Sequence, residues 1–187
     1  MSTEKNRCSW CGTEPIYVKY HDEEWGQPIH DDRLLFEFLV LESFQAGLSW
    51  LTVLKKRENF RKAFANFDAK KVSKFDQTKF DALMQDAGII RNRLKIEAAI
   101  NNAQRFLEIQ KEFGSFDKYI WSFTGGTTIV NKPKTLKDLP AKTAISDAMS
   151  KDMGLRGFKF RGSTICYAFM QAVGMVDDHL VDCWRKN

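Results

Sequence analysis

Apolar positions recur along this chain at helical spacing. In residues 32–44, Leu34, Leu35, Phe38, Leu39 and Leu41 fall on one broad face, and Asp31 or Asp32 stands where a helix start takes a capping carboxylate. Ser49 is placed to cap a second helix over 50–67, with Leu51, Leu54, Phe60, Ala63, Phe64 and Phe67 inward and Lys55, Lys56 and Arg57 mostly turned away. A short helix is expected near 70–75. Thr78 opens another, which Gly88 ends as a left-handed stop. After the turn Gly88-Ile89-Ile90, a long helix runs from about Arg91 to Gly114, and a short aromatic one, FDKYIWSF, follows. Ser146 caps a helix ending at Gly154, Ser163 caps one ending at Gly174, and VDDHLVDCW forms the last. No segment alternates with period two, so the predicted fold class is all-α. The stretch 124–140, with Pro133, Pro140, Gly125 and Gly126, is the least regular, yet too short to part independent domains.

Composition narrows the classes. The chain has 187 residues, 43% hydrophobic, enough for one sizeable core or two lobes sharing a cleft and too apolar for disorder. No run approaches the roughly 18 apolar residues of a spanning helix, so no membrane partner is expected. MSTEKNRCSW holds no apolar leader core, which points to the cytoplasm and to reduced thiols. A net charge of +5 is a weak sign of a polyanionic partner.

The histidines are His21, His30 and His179, and the cysteines Cys8, Cys11, Cys166 and Cys183. His179 and Cys183 are four apart in a predicted helix, which sends both side chains to one face. They make half of a tetrahedral zinc site, and Cys8 with either Cys11 or His21 would complete a closed, structural set. Cys166, inside TICYAF, reads as core, and His30, beside Asp31 and Asp32, as solvated. Glu42 interrupts the apolar run LVLESFQAGLSW; it is either a helix-end surface group or a polar floor for a pocket. Trp10, Tyr17, Tyr20, Trp25 and Trp50, with one carboxylate, could stack a flat heterocycle and bond its edge.

Several segments carry a resemblance. Cys8-x-Trp10, Tyr17-x-x-Tyr20-His21-Asp22-x-Glu24-Trp25-Gly26, Gln45-Ala46-Gly47-Leu48-Ser49-Trp50, Thr52-Val53-Leu54-Lys55-Lys56-Arg57 and Asp86-Ala87-Gly88-Ile89-Ile90-Arg91 occur in order. Arg156-Gly157-Phe158-Lys159-Phe160, Thr164-Ile165-Cys166-Tyr167 and Asp178-His179 follow. Together they resemble the 3-methyladenine DNA glycosylase I family of bacterial alkylation-repair enzymes, over about residues 8–183.

The resemblance implies a helix-hairpin-helix fold with two lobes around a cleft: one holds the hairpin near 78–100, the other is built from both terminal segments. It implies a structural zinc on Cys8, His21, His179 and Cys183, with Cys11 left out. It maps the lesion pocket to Glu42, Trp10, Tyr17, Tyr20 and Trp50, and places Leu48 at the gap left by a flipped base. The hairpin backbone at Gly88 and Ile90 would meet a phosphate, and Arg91, Arg93, Lys95, Lys159 and Arg161 would supply positive surface. Phe44 departs from a polar residue of some relatives and is expected to alter the pocket rim. Residues 94–107 contain no Asp, in keeping with a monofunctional enzyme without lyase activity. The implied partners are double-stranded DNA containing 3-methyladenine and the free base as product, with the protein a monomer. Two other classes compete: a non-catalytic zinc-containing DNA-binding or lesion-sensing protein, and a thiol hydrolase using Cys11 with His21 or His179.

Overall fold

The computed structural model describes residues 5–186. Its axis is α2 (Asp32–Gln45), started by Asp31, whose side chain accepts from Leu34 N at 2.9 Å. Every residue of α2 from Leu35 to Phe44 is buried. A helix buried on all sides needs neighbours on all sides, and α3 (Trp50–Ala63), α6 (Arg93–Phe113), α7 (Phe116–Ser122) and α9 (Ser163–Ala172) surround it. Two carboxylates, Glu37 and Glu42, are thereby carried into the interior. Ahead of this core, Pro15 opens α1 (Pro15–Glu23), which packs on α3.

The helical reading holds in class and shifts in detail. Ser49 caps α3, but α3 stops at Ala63, not Phe67. Ala65, Asn66 and Phe67 turn left-handed, with φ of 51°, 54° and 55°. That turn lays the Phe67 ring parallel to Phe64, both fully buried. Arg57 does not turn away; it is buried on α3 against Glu37. After α4 (Ala69–Val72), α5 (Gln77–Gln85) is capped by Asp76 and not Thr78, because Asp76 accepts from Lys79 N at 2.8 Å. Gly88 is no left-handed stop: α5 already ends at Gln85, and Gly88 lacks a positive φ. Its glycine is needed for space, since a Cβ there would meet Asp86 Oδ1 at 2.9 Å. α6 begins at Arg93 from an Asn92 cap and ends, as expected, at left-handed Gly114. In α8 (Ala144–Leu155) Thr143 is the cap, and Ser146 closes the capping box from inside.

The last expected helix, 176–184, is absent. Val176–Asp177 (β2) pairs in parallel with Ile129–Val130 (β1), an addition to an otherwise helical fold. Asp178 explains the extended path: it is buried, and accepts from Tyr167 Oη at 2.6 Å, Asn131 Nδ2 at 2.7 Å and Gln171 Nε2 at 2.8 Å. Three donors from α9 and the 124–140 stretch hold this backbone where a helix cannot run. No helix among the described residues is long and apolar enough to cross a membrane.

Candidate functional site

A cavity of about 320 Å³ opens beside the second half of α2. Trp10, Tyr17, Tyr20, Trp25, Glu42 and Trp50 line it, with Gln45, Leu136, Leu139, Ala168 and Gln171. The aromatics brace one another: the Trp10 ring lies 5.0 Å from Tyr17 and 4.9 Å from Trp25, and Tyr20 lies 5.4 Å from Trp50. Phe38, one turn before Glu42, stacks behind Trp50. Glu42 is 4% exposed, and its Oε2 has no hydrogen-bond partner. Burial alone pushes its carboxyl up to about 8. Trp50 Nε1 is likewise buried without a partner. Burial, then the neighbouring Glu42, pushes the Tyr20 phenol well up, so it stays a donor. A larger cavity, about 480 Å³, lies between the start of α2, residues 65–71 and α6; none of the expected site residues lines it.

Behind the aromatic wall, the donor atoms of Cys8, His21 and Cys183 lie within 4.8 Å of one another, all buried. His21 Nδ1 is held by Asp22 Oδ1 at 2.8 Å, which leaves Nε2 facing Cys183 Sγ at 3.5 Å. His179 stands outside that trio. Yet its ring lies 5.2 Å from the His21 ring, Asp177 Oδ1 holds its Nδ1 at 2.8 Å, and its buried Nε2 has no partner. A carboxylate on one ring nitrogen and an open second nitrogen is how metal-binding histidines are commonly set. Burial holds the Cys8 thiol up, at about 12, a cost that a bound cation offsets. The donor set therefore fits a zinc ion. Cys11 is buried too, but its Sγ faces only its neighbour's carbonyl, Gly12 O, at 3.8 Å.

The hairpin turn joins α5 to α6. Gly88 N donates to Asp86 Oδ1 at 2.7 Å and Asn92 N to Ile90 O at 3.0 Å. Among the described residues no hydrogen bond engages the N–H of Ile90 or Arg91. These open donors precede the start of α6, where Asn92 caps Lys95 N and leaves the N–H groups of Arg93 and Leu94 open, an arrangement suited to an anion.

Comparison with known proteins decides the family. A model of the methyladenine glycosylase family matches residues 10–186. The chain is 51% identical over 177 residues to DNA-3-methyladenine glycosylase of Haemophilus influenzae, covering 95% of this chain and 96% of the relative.

This chain belongs to the methyladenine glycosylase family.

DNA-3-methyladenine glycosylase 1 of Escherichia coli is similar at 50% identity, with 95% of each chain covered. A crystal structure of 3-methyladenine DNA glycosylase I superimposes with a TM-score of 0.94 at 46% identity, over 96% of this chain and 98% of the other. A Staphylococcus aureus structure described for its recognition of 3-methyladenine gives 0.94 at 39% identity, covering 99% and 98%.

As a methyladenine glycosylase family member, the chain brings five of its expected pocket residues, Trp10, Tyr17, Tyr20, Glu42 and Trp50, around one cavity. Leu48 lies outside it, 43% exposed on the loop between α2 and α3. Arg91, Arg93 and Lys159 are exposed, and Arg93 reaches Glu97 at 3.4 Å. Lys95 is not surface charge: it is buried, because its Nζ reaches the carbonyls that end α2. Phe44 is not at the pocket rim. It is fully buried on the far face of α2, 4.7 Å from the Phe60 ring. Cys166 is core, as expected, and His30 is exposed, though paired with Asp117 at 2.7 Å. Gln45, Leu136, Leu139, Ala168 and Gln171 were not foreseen in the cavity wall. Gln45 left a trace in the segment Gln45–Trp50, and Gln171 as the one polar side chain at the apolar end of α9.

Proposed function

We propose that this chain extrudes 3-methyladenine from double-stranded DNA and hydrolyses its N-glycosidic bond, leaving an abasic site. The observation that carries the reading is Glu42, a buried and unpartnered carboxyl among aromatic rings, in a chain of this family. A base within the duplex is out of reach, so the nucleotide must rotate out. Open N–H groups at Ile90 and Arg91, with Arg93 and Lys159 nearby, would hold backbone phosphates, and Gly88 lets the turn pack closely on Asp86 and Asn59. Leu48, exposed beside the pocket loop, would fill the vacated gap.

In DNA the methylated base is a cation. Trp50 would stack on it, with Trp10, Tyr17 and Tyr20 shaping the rest, and electron-rich rings attract positive charge. Glu42 would accept from the base edge. An empty pocket favours the neutral acid, and the incoming cation favours the carboxylate, so loading releases one proton. The C1′–N9 bond then breaks with its electron pair passing to the base, which departs neutral. The oxygen of water bonds to C1′ and sheds one proton. A cationic leaving group needs little acid help, so Glu42 acts by stabilising charge. No lysine lines the cavity to attack C1′, which supports a monofunctional enzyme without lyase activity.

Cys8, His21, His179 and Cys183 would hold one structural zinc, joining both terminal segments and bracing the aromatic wall between Cys8 and His21. The hairpin-bearing lobe, about 78–100, and the lobe of the terminal segments would flank the cleft of a monomer. The deciding experiment is base release from methylated duplex DNA, with free bases resolved by chromatography and zinc measured on the same protein. Free 3-methyladenine with an uncleaved abasic strand and about one zinc per chain is expected. Folded, zinc-replete protein that binds DNA and releases nothing would overturn the assignment.

A further inference from the structure

Lys95 is a buried cation that this reaction does not use. It is 6% exposed on the first turn of α6, directly after the hairpin. Its Nζ donates to Phe44 O at 2.9 Å and Ala46 O at 2.5 Å. These carbonyls close α2, where the final C=O groups lack partners within the helix and negative partial charge gathers. Two residues before Phe44 on the same helix is Glu42. After Ala46 the chain turns through Gly47, at φ 79°, and presents Leu48.

The hairpin is tied from its other side as well. Lys56 Nζ on α3 donates to Ala87 O at 3.0 Å and Gly88 O at 3.3 Å, and Asn59 Nδ2 donates to Gly88 O at 3.3 Å. Side chains from α3 thus fix the hairpin turn, and a side chain from the hairpin's second helix fixes the end of α2. The Leu48 loop spans the short distance between α2 and α3. Hairpin and loop cannot shift independently without breaking one of these ties.

We propose that Lys95 is a positioning residue that holds the Leu48 loop at a fixed offset from the hairpin. A phosphate gripped by the hairpin then delivers Leu48 into the duplex in the same motion. The proposal rests on the reading of the hairpin as the phosphate contact and of Leu48 as the side chain filling the gap. It differs from a stability role in what it predicts: Lys95 matters most when the base must be forced out of a paired stack, and least when the base is already loose.

The test compares Lys95→Met with the unsubstituted chain in single-turnover excision on two duplexes. In one, 3-methyladenine faces thymine; in the other it faces an abasic site, where extrusion costs less. Free 3-methyladenine binding, read by tryptophan quenching, reports the pocket alone. The expected result is a loss of about tenfold or more on the paired lesion, a loss of under about threefold on the unpaired one, and unchanged binding of the free base. Equal losses on both duplexes, no loss on either, or weakened free-base binding would overturn the proposal. Should Lys95→Met fail to fold, Lys95→Gln, whose amide is one atom too short to span both carbonyls, is expected to show the same split. Failure of the unsubstituted chain to excise from either duplex would instead strike the glycosylase reading itself.

Discussion

Glu37 and Glu42 lie five residues apart on one helix, and both are buried. Their surroundings could hardly differ more. Glu37 receives three guanidinium groups: Arg57 at 2.6 Å, Arg61 at 2.7 Å and Arg33 at 3.4 Å. Arg57 goes on to Glu24 at 2.6 Å, so the network stitches α3 to α2 and to the end of α1. Glu42 receives nothing on Oε2 and faces aromatic rings and a cavity. A buried charge with partners is accounted for by the fold; one without partners is accounted for only by something that enters. The same residue type on the same helix thus serves structure at one position and, under the proposed function, the ligand at the other. They are not isolated from each other: Arg57 lies 5.0 Å over the Phe38 ring, and Phe38 stacks behind Trp50.

Substitution should separate the two roles. Glu37→Ala strips the buried Arg57 of its shielded partner, leaving it only the half-exposed Glu24, and is expected to cost about 3 kcal/mol of stability, read by denaturant unfolding. The surviving folded fraction should still bind free 3-methyladenine. A loss under about 1 kcal/mol would mean the network is idle. Glu42→Gln keeps the shape and removes the charge. Excision should fall about a hundredfold, equivalent to about 2.7 kcal/mol, with no loss of stability. A destabilised Glu42→Gln would erase the contrast.

The smallest expected effect follows from proton linkage. The folded chain holds the Glu42 carboxyl at about 8, above its ordinary 4.5. Stability from that proton is complete below 4.5 and is lost as pH rises through 8. Unfolding free energy from pH 6 to pH 8 should therefore drop about 2 kcal/mol further in the unsubstituted chain than in Glu42→Gln. Parallel pH profiles would show that Glu42 is not the titrating group.

Much of this was legible from residues alone. The broad apolar face of α2, the capping residues Asp31 and Ser49 and the Gly114 stop predict helix ends that the structure keeps, because those signals are local. His179 and Cys183 taught the opposite lesson. Their spacing of four matches a helix, but the segment is a short strand leading into a turn, because Asp178 answers donors on α9 and at Asn131. The pairing partner of β2 lies more than forty residues upstream, and two-residue strands leave no periodicity to read. Lys95 looked like DNA-facing charge because sequence cannot say that the carbonyls ending α2 lie within its reach. Phe44 is expected at the rim because it replaces a polar residue of some relatives; the turn of the helix sends it the other way.

Asn6 Nδ2 donates to Asp182 O at 2.7 Å across 176 residues of chain, and Trp184 N donates to Asn6 O at 2.8 Å. The described ends of the molecule are therefore a closed clasp, and Trp10, Tyr17 and Tyr20 hang on the inner side of it. The entropic charge for so long a closure is modest, since doubling a loop adds only about 0.6 kcal/mol. Its consequence is one of timing. During synthesis α2, the hairpin and α6 leave the ribosome well before Cys183, so the segments proposed to grip DNA emerge while the wall proposed to hold the base still lacks its latch. Under the proposed function, a chain halted at that stage would touch DNA but not keep a base, which makes the Cys183 segment the last permission the molecule grants itself.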